Sequence, residues 1–315
     1  MAHHTGGVWA AALTPLNHDL SINTERLIAH AGWLLGNGCD GVALLGTTGE
    51  ANSFSLEERL ALIDAAGKAA LPPEKIMIGV GCCATSDTVR LSAAALAAGY
   101  HNLLMLPPFF YKGAVVSETG IFEAYATTID RLADPRARIF LYDIPPMTGL
   151  EMSVALLSRL KSAFPDVIAG VKDSSGNFDD MQQACDSISD FSVFAGTETY
   201  LLPILKAGGK GCISATANVT SGVLARVMQN WQQPGAEALQ ARATELRLTL
   251  QNYPATAALK AIMAVHSGHQ DWLNLRPPLT LLTSAQEQTM VAQLQAIGFD
   301  PNTLDADLYL SQVPA

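Results

Sequence analysis

Eight short apolar runs, each followed by a stretch with helical spacing, recur along the chain as far as Ser214, and this repeat restricts the available folds more than any other feature. The runs are Val8–Leu13, Gly41–Leu45, Ile76–Gly81, Asn102–Leu106, Ile139–Tyr142, Val167–Lys172, Phe191–Ala195 and Gly211–Ser214. Several are apolar at successive positions rather than alternate ones, the pattern of strands covered on both faces of a parallel sheet. Strands alternating with helices build right-handed crossovers, and eight in series can close on themselves. The expected fold class is therefore α/β, a (β/α)8 TIM barrel.

The intervening helices carry their own signals. After Asn23, residues Leu27, Ile28, Ala31, Leu34 and Leu35 share one face, and Gly36 is expected just past the end. Ser55 and Glu58 fit a capping box at the start of a helix that Pro72 and Pro73 bring to a close. Beyond Ser214 the alternation stops and only helices are expected, at Gly235–Gln251, Ala257–His266 and Ser284–Ile297. This divides the chain into a barrel over residues 1–230 and a C-terminal helical extension over 231–315.

Composition narrows the function. Charged residues make up only 15% of the 315, and mean hydropathy is slightly positive, as a large buried core requires. A net charge of −10 with no basic run disfavours a nucleic-acid partner, whose phosphates need clustered Lys and Arg. No apolar stretch is long enough to span a membrane, and the start lacks the basic and apolar regions of a signal peptide. Five cysteines without a C-x-x-C pair read as reduced thiols, so the expected location is cytoplasmic. His3 and His4 are assigned no role.

Two glycine motifs invite a dinucleotide reading. Gly36-Asn37-Gly38-Cys39-Asp40-Gly41 has the G-x-G-x-x-G spacing but follows a helix and opens a strand, the reverse of what phosphate binding needs. Gly79-Val80-Gly81-Cys82-Cys83-Ala84 has the right order, yet no acidic residue ends the following strand to hold a ribose.

Active sites of (β/α)8 barrels lie where the strands end, so reactive groups at those positions carry the functional argument. Of eight lysines, Lys172 alone closes an apolar strand, and alternation places Ile168, Gly170 and Lys172 on one face. Burial disfavours an ammonium, and a neutral amine is what attack on a ketone requires. The competing reading is a structural ion pair with Asp173 or Glu50. Thr47 and Thr48, between Gly46 and Gly49, could grip a carboxylate through hydroxyls and backbone N–H groups, or simply turn the chain. Tyr142 could shuttle protons or merely face solvent.

In order and spacing, Gly46-Thr47-Thr48-Gly49-Glu50, Tyr142-Asp143-Ile144-Pro145 and Gly170-Val171-Lys172-Asp173-Ser174-Ser175-Gly176 resemble the dihydrodipicolinate synthase and N-acetylneuraminate lyase family. Ala12–Pro15, Ile213–Val219 and Arg276–Leu279 extend the resemblance over nearly the whole chain. It implies a carbon–carbon lyase, homotetrameric, without metal or organic cofactor. Lys172 would condense with pyruvate or a pyruvate-containing 2-keto acid, Tyr142 would act as acid and base, and Thr47 and Thr48 would hold the keto-acid carboxylate. Ile213 and Gly211 would line the floor.

Departures from the family pattern bear on specificity. Synthases carry a tyrosine at Phe110 and an arginine at Met147, which supply a relay proton and a carboxylate ligand; neither replacement can do so. Around Gly196 and Glu198, taken as substrate-binding positions, one acid stands where the neuraminate lyases have a pair. The favoured expectation is a lyase for 2-keto-3-deoxy sugar acids or 4-hydroxy-2-oxoglutarate. A dihydrodipicolinate synthase, and a non-catalytic keto-acid-binding homologue, are the alternatives.

Overall fold

The computed structural model describes residues 6–69 and 71–304; His3 and His4 lie outside them. Eight parallel strands close into a barrel in sequence order. They are β1 (Gly7–Ala11), β2 (Gly41–Leu44), β3 (Ile76–Gly79), β4 (Asn102–Met105), β5 (Arg138–Asp143), β6 (Ile168–Asp173), β7 (Ser192–Ala195) and β8 (Gly211–Ser214). Each falls within a residue or two of its expected position. The helices α1 (Thr24–Gly36), α2 (Leu56–Lys68), α3 (Thr85–Ala97), α4 (Glu118–Leu132), α5 (Pro145–Thr148), α6 (Val154–Ala163), α7 (Phe178–Ser187), α8 (Leu201–Lys206) and α9 (Ala217–Asn230) accompany the barrel strands. Beyond them come α10 (Ala236–Leu250), α11 (Ala255–Ser267) and α12 (Ser284–Ala296). The capping box opens α2 as expected, Ser55 Oγ accepting from Glu58 N while Glu58 accepts from Ser55 N.

Strand alternation splits the apolar residues into two cores. Val8, Val42, Ile78, Leu103, Leu141, Val171 and Val193 point outward beneath the helices. Trp9, Ala43, Met77, Leu104, Phe140, Tyr142, Phe194 and Ile213 fill the barrel interior. The interior is therefore packed rather than open, and only the strand ends are free for chemistry.

One expectation about β6 needs correction. Ile139 pairs with Ile168, but Phe140 pairs with Gly170, so Ala169 is an extra residue in the β5–β6 register. The bulge breaks the alternation: Ile168 belongs to the outer core, whereas Ala169 packs against the interior one. Gly170 is required by close packing between strands. A Cβ there would stand 2.1 Å from the backbone oxygen of Ser192 on β7. The third-strand glycine motif has a similar cause, since a Cβ on Gly79 would stand 2.0 Å from the carbonyl oxygen of Leu45. Close strand approach, rather than phosphate binding, accounts for it.

The space around the backbone separates two glycines that sequence treats alike. Gly170→Ala has to push β6 from β7 and is expected to cost at least about 1–3 kcal/mol. Gly32→Ala, at an exposed position of α1 with nothing within 4 Å of the added Cβ, should stabilise by up to about 1 kcal/mol. Thermal unfolding followed by circular dichroism distinguishes them; equal melting temperatures would contradict the packing argument.

Candidate active site

The β5–β6 register places Tyr142 directly opposite Lys172. Both are nearly enclosed, at 3% and 4% exposure, and Lys172 Nζ donates to Tyr142 Oη at 3.0 Å. The amine also lies 4.1 Å from the centroid of the phenol ring. Thr47 Oγ1 is 3.5 Å from the same phenol oxygen, which the Ser174 hydroxyl also approaches. Burial resists ionisation of this phenol, but the positive charge of Lys172 and hydrogen bonds from Lys172, Thr47 and Ser174 together outweigh it. The pKa of Tyr142 consequently falls below the ordinary phenol value. A phenol so placed can hand a proton to an oxygen on a neighbouring carbon and take it back.

The structural ion-pair reading of Lys172 finds its carboxylates engaged elsewhere. Asp173 Oδ1 accepts from the backbone N and hydroxyl of Ser175, at 2.8 and 2.6 Å. Glu50 binds Lys260 and the backbone of Arg276. The Thr47–Thr48 turn is fixed by its own backbone, with Glu50 N donating to Thr47 O at 3.1 Å and Ala51 N to Gly46 O at 3.3 Å. Thr14 Oγ1 holds Gly49 O at 2.7 Å. Thr48 is buried and Thr47 half-buried, which leaves Thr47 beside the reactive pair.

The remaining expected positions separate into floor and rim. Ile213 is fully buried in the barrel interior. Gly196 follows β7 and donates its N–H to Asp173 O at 2.6 Å; a Cβ on it would collide with Ser174 Oγ, so only glycine lets that hydroxyl in. Phe110 and Met147 are exposed, at 74% and 59%. Lys112 Nζ lies 3.4 Å from Met147 O, so a cation does reach this part of the rim. Glu198 departs from the expectation of a substrate ligand. It is completely buried, its carboxylate accepts from Ser214 Oγ at 2.5 Å and from Thr216, and Arg247 Nη1 stands 3.8 Å away. It begins the single turn Glu198–Tyr200, which carries the side chain into the wall between β8 and α10.

Two residues that sequence reasoning did not single out join this region. Ser174 lies one step beyond Asp173 and reaches the phenol; its place in the loop after Lys172 was the available signal. Asp143 follows Tyr142 and, by alternation, faces away from the interior. Its register partner is Asp173, and its Oδ1 has no hydrogen-bond partner although buried. Cavity size, by contrast, is a poor guide. Clefts of about 700 Å³ between α10 and α12 and of about 480 Å³ between α1 and α11 are both lined by residues away from the strand ends.

Fold and strand-end chemistry together define the class, a (β/α)8 carbon–carbon lyase. Comparison with known proteins agrees: residues 4–297 match the Dihydrodipicolinate synthetase family, and the chain belongs to it. It is 31% identical over 296 residues to a DapA-like lyase of Chloroflexus aurantiacus, covering 92% of this chain and 96% of that one. It is 30% identical over 296 residues to a 4-hydroxy-tetrahydrodipicolinate synthase of Neisseria meningitidis, with 93% and 98% covered. Among solved structures, dihydrodipicolinate synthase from Agrobacterium tumefaciens superposes with a TM-score of 0.86 at 32% identity, covering 93% of this chain and all of that one.

Asp143 gives this region a measurable pH signature. Burial first, and the Asp173 charge second, push its carboxyl up to about 8. The folded state thus holds this proton far more tightly than the unfolded chain, whose carboxyl titrates near 3.9. The stability it contributes is complete at acid pH and is lost as pH rises through about 8. Asp143→Asn keeps the shape without the titration. Its melting temperature relative to wild type should rise steadily from about pH 5 to pH 8 and then level off. A difference independent of pH would show that Asp143 is ionised throughout.

Proposed function

We propose that this chain is a class I lyase in which Lys172 forms an imine with the keto group of pyruvate or a pyruvate-containing 2-keto acid. The observation that carries the reading is the buried Lys172 amine bonded at 3.0 Å to the Tyr142 phenol. The neutral amine adds to the carbonyl carbon, Tyr142 gives a proton to the resulting oxygen, and water leaves to form the iminium. The iminium then accepts electrons from the neighbouring bond. In cleavage, the Tyr142 phenolate left by the first step takes the proton of the C4 hydroxyl, the C3–C4 bond breaks, an aldehyde departs and an enamine remains. Protonation of the enamine and hydrolysis release pyruvate and restore the amine. Thr47 and Thr48 hold the carboxylate, Ile213 closes the floor, and Gly196 admits Ser174 beside the phenol.

At the other end of the substrate we favour cleavage of 2-keto-3-deoxy sugar acids or 4-hydroxy-2-oxoglutarate. Phe110 has no relay proton and Met147 no charge with which to bind the carboxylate of aspartate semialdehyde. One observation supports the synthase alternative: Lys112 brings a cation to within 3.4 Å of the Met147 backbone.

The proposal extends to a homotetramer. Phe110, Tyr111, Val115, Leu279 and Leu281 are large apolar side chains left exposed, the kind of surface that a subunit contact covers. A cytoplasmic location fits the five unpaired cysteines. No helix among the described residues is long and apolar enough to cross a membrane.

Borohydride reduction with pyruvate present is expected to add pyruvate covalently at Lys172, located by mass spectrometry. Tyr142→Phe should retain slow trapping but lose about 10²–10⁴-fold in turnover. Trapping that persists in Lys172→Ala would refute the imine. Specificity needs a separate assay: cleavage of 2-keto-3-deoxygluconate and 4-hydroxy-2-oxoglutarate should exceed condensation of pyruvate with aspartate semialdehyde by about tenfold or more, the worth of one charge-assisted contact. Efficient condensation with little cleavage would favour the synthase instead.

A further inference from the structure

We propose that Lys260, in the C-terminal extension, is a positioning residue for the Gly46–Gly49 turn, acting through Glu50; this rests on the reading above that the turn grips a carboxylate. Lys260 sits inside α11 and is completely enclosed. Its ammonium donates to Glu50 Oε1 at 2.5 Å and to Asn274 O at 2.7 Å. The second Glu50 oxygen accepts the backbone N–H of Arg276 at 2.9 Å. Both carboxylate oxygens are thus anchored on residues of the extension.

Glu50 is the residue at which this anchoring reaches the turn. Its backbone is left-handed, with φ 58°, a conformation that strains a residue with a Cβ and persists only where surroundings impose it. Its N–H closes the turn on Thr47 O. A shift of Glu50 therefore moves Thr47 and Thr48 with it. The chain just beyond is clamped from the same side. The Arg276 guanidinium donates to Ser53 O at 2.7 Å, to Leu20 O at 3.0 Å and to both oxygens of Glu58, and lies 4.6 Å from the centre of the Phe54 ring.

A fully buried ion pair is a weak source of stability, because desolvation cancels most of the attraction, and apolar replacements of both partners are often tolerated. Its effect lies in direction. The pair accepts one arrangement of Glu50, and that arrangement fixes where the threonine hydroxyls and turn N–H groups point. The extension, remote in sequence, thereby sets how tightly the pyruvate half of a substrate is held.

The test compares two carbonyl compounds by borohydride trapping at Lys172: pyruvate, and hydroxyacetone, which lacks the carboxylate. In Lys260→Met the pyruvate concentration for half-maximal trapping should rise about ten- to hundredfold, the range lost with a charge-assisted contact. Trapping by hydroxyacetone should stay within about twofold of wild type, because no carboxylate is involved. Glu50→Gln, which keeps the side-chain shape, should move pyruvate in the same direction and carries the comparison if Lys260→Met does not fold. Lys68→Met, which removes an exposed pair with Asp64, is the control that leaves both unchanged. Equal loss for both compounds would reduce Lys260 to a structural role and overturn the proposal. So would an unchanged pyruvate dependence while wild type is trapped normally. If wild type is trapped by neither compound, the imine reading itself fails and the proposal falls with it.

Discussion

The register between β5 and β6 fixes which side chains meet at the mouth of this barrel. Parallel closure brings every strand end to one mouth, but it does not decide which side chain faces inward. Ile168 must pack under the helices and Lys172 must point into the barrel, although they stand four residues apart and regular alternation would give them the same face. The extra residue Ala169 resolves the conflict by changing the phase between them. After the bulge, Tyr142 lies opposite Lys172 and Asp143 opposite Asp173. The hydrogen bond at the centre of the site is a direct result of that pairing.

The same alternation sorts charge. The amine and phenol project inward, while the carboxylates that follow them project to the other side, where Asp173 is occupied by Ser175 and Asp143 keeps its proton well into neutral pH. Glu50, the other acid close in sequence to the site, is held by Lys260 and Arg276. An amine paired tightly with a carboxylate would be stabilised in its charged form and would make a poor nucleophile. With Asp173 and Glu50 held by other partners and Asp143 protonated on the far side of the strand, the amine faces a phenol rather than a carboxylate.

Much of this was legible in sequence, for reasons that also mark where legibility stops. Strand positions were readable because apolar runs bounded by turn residues encode them locally, and Lys172 stood out as a lysine closing such a run. The Ser55 capping box is likewise a local signal, complete within four residues. The bulge was not readable, because Ala169 is small enough for either core and nothing local marks the change of phase. Glu198 misled for a related reason: its family position suggested a ligand, but Ser214, Thr216 and Arg247 claim the carboxylate, and these contacts join residues far apart in sequence. Lys260 was hidden most completely. A lysine in an apolar helix ordinarily runs its ammonium out to solvent. Only the folded chain reveals that Glu50, 210 positions away, meets it in the interior.

The two ends of the proposed substrate meet different kinds of structure. The keto-acid end meets buried strand termini and a turn tied at several points, so its geometry resists change. The variable end meets Phe110, Met147 and Lys112 on the exposed rim, where substitution disturbs little of either core. One barrel can therefore keep a single covalent step while its preference for the rest of the substrate shifts. On the proposed assembly, the rim carries a second constraint, because Phe110 and Tyr111 are also among the exposed apolar residues that a neighbouring subunit would cover. A change that retunes substrate choice there also alters the contact surface, so specificity and assembly must vary together at the rim while remaining separate at the floor.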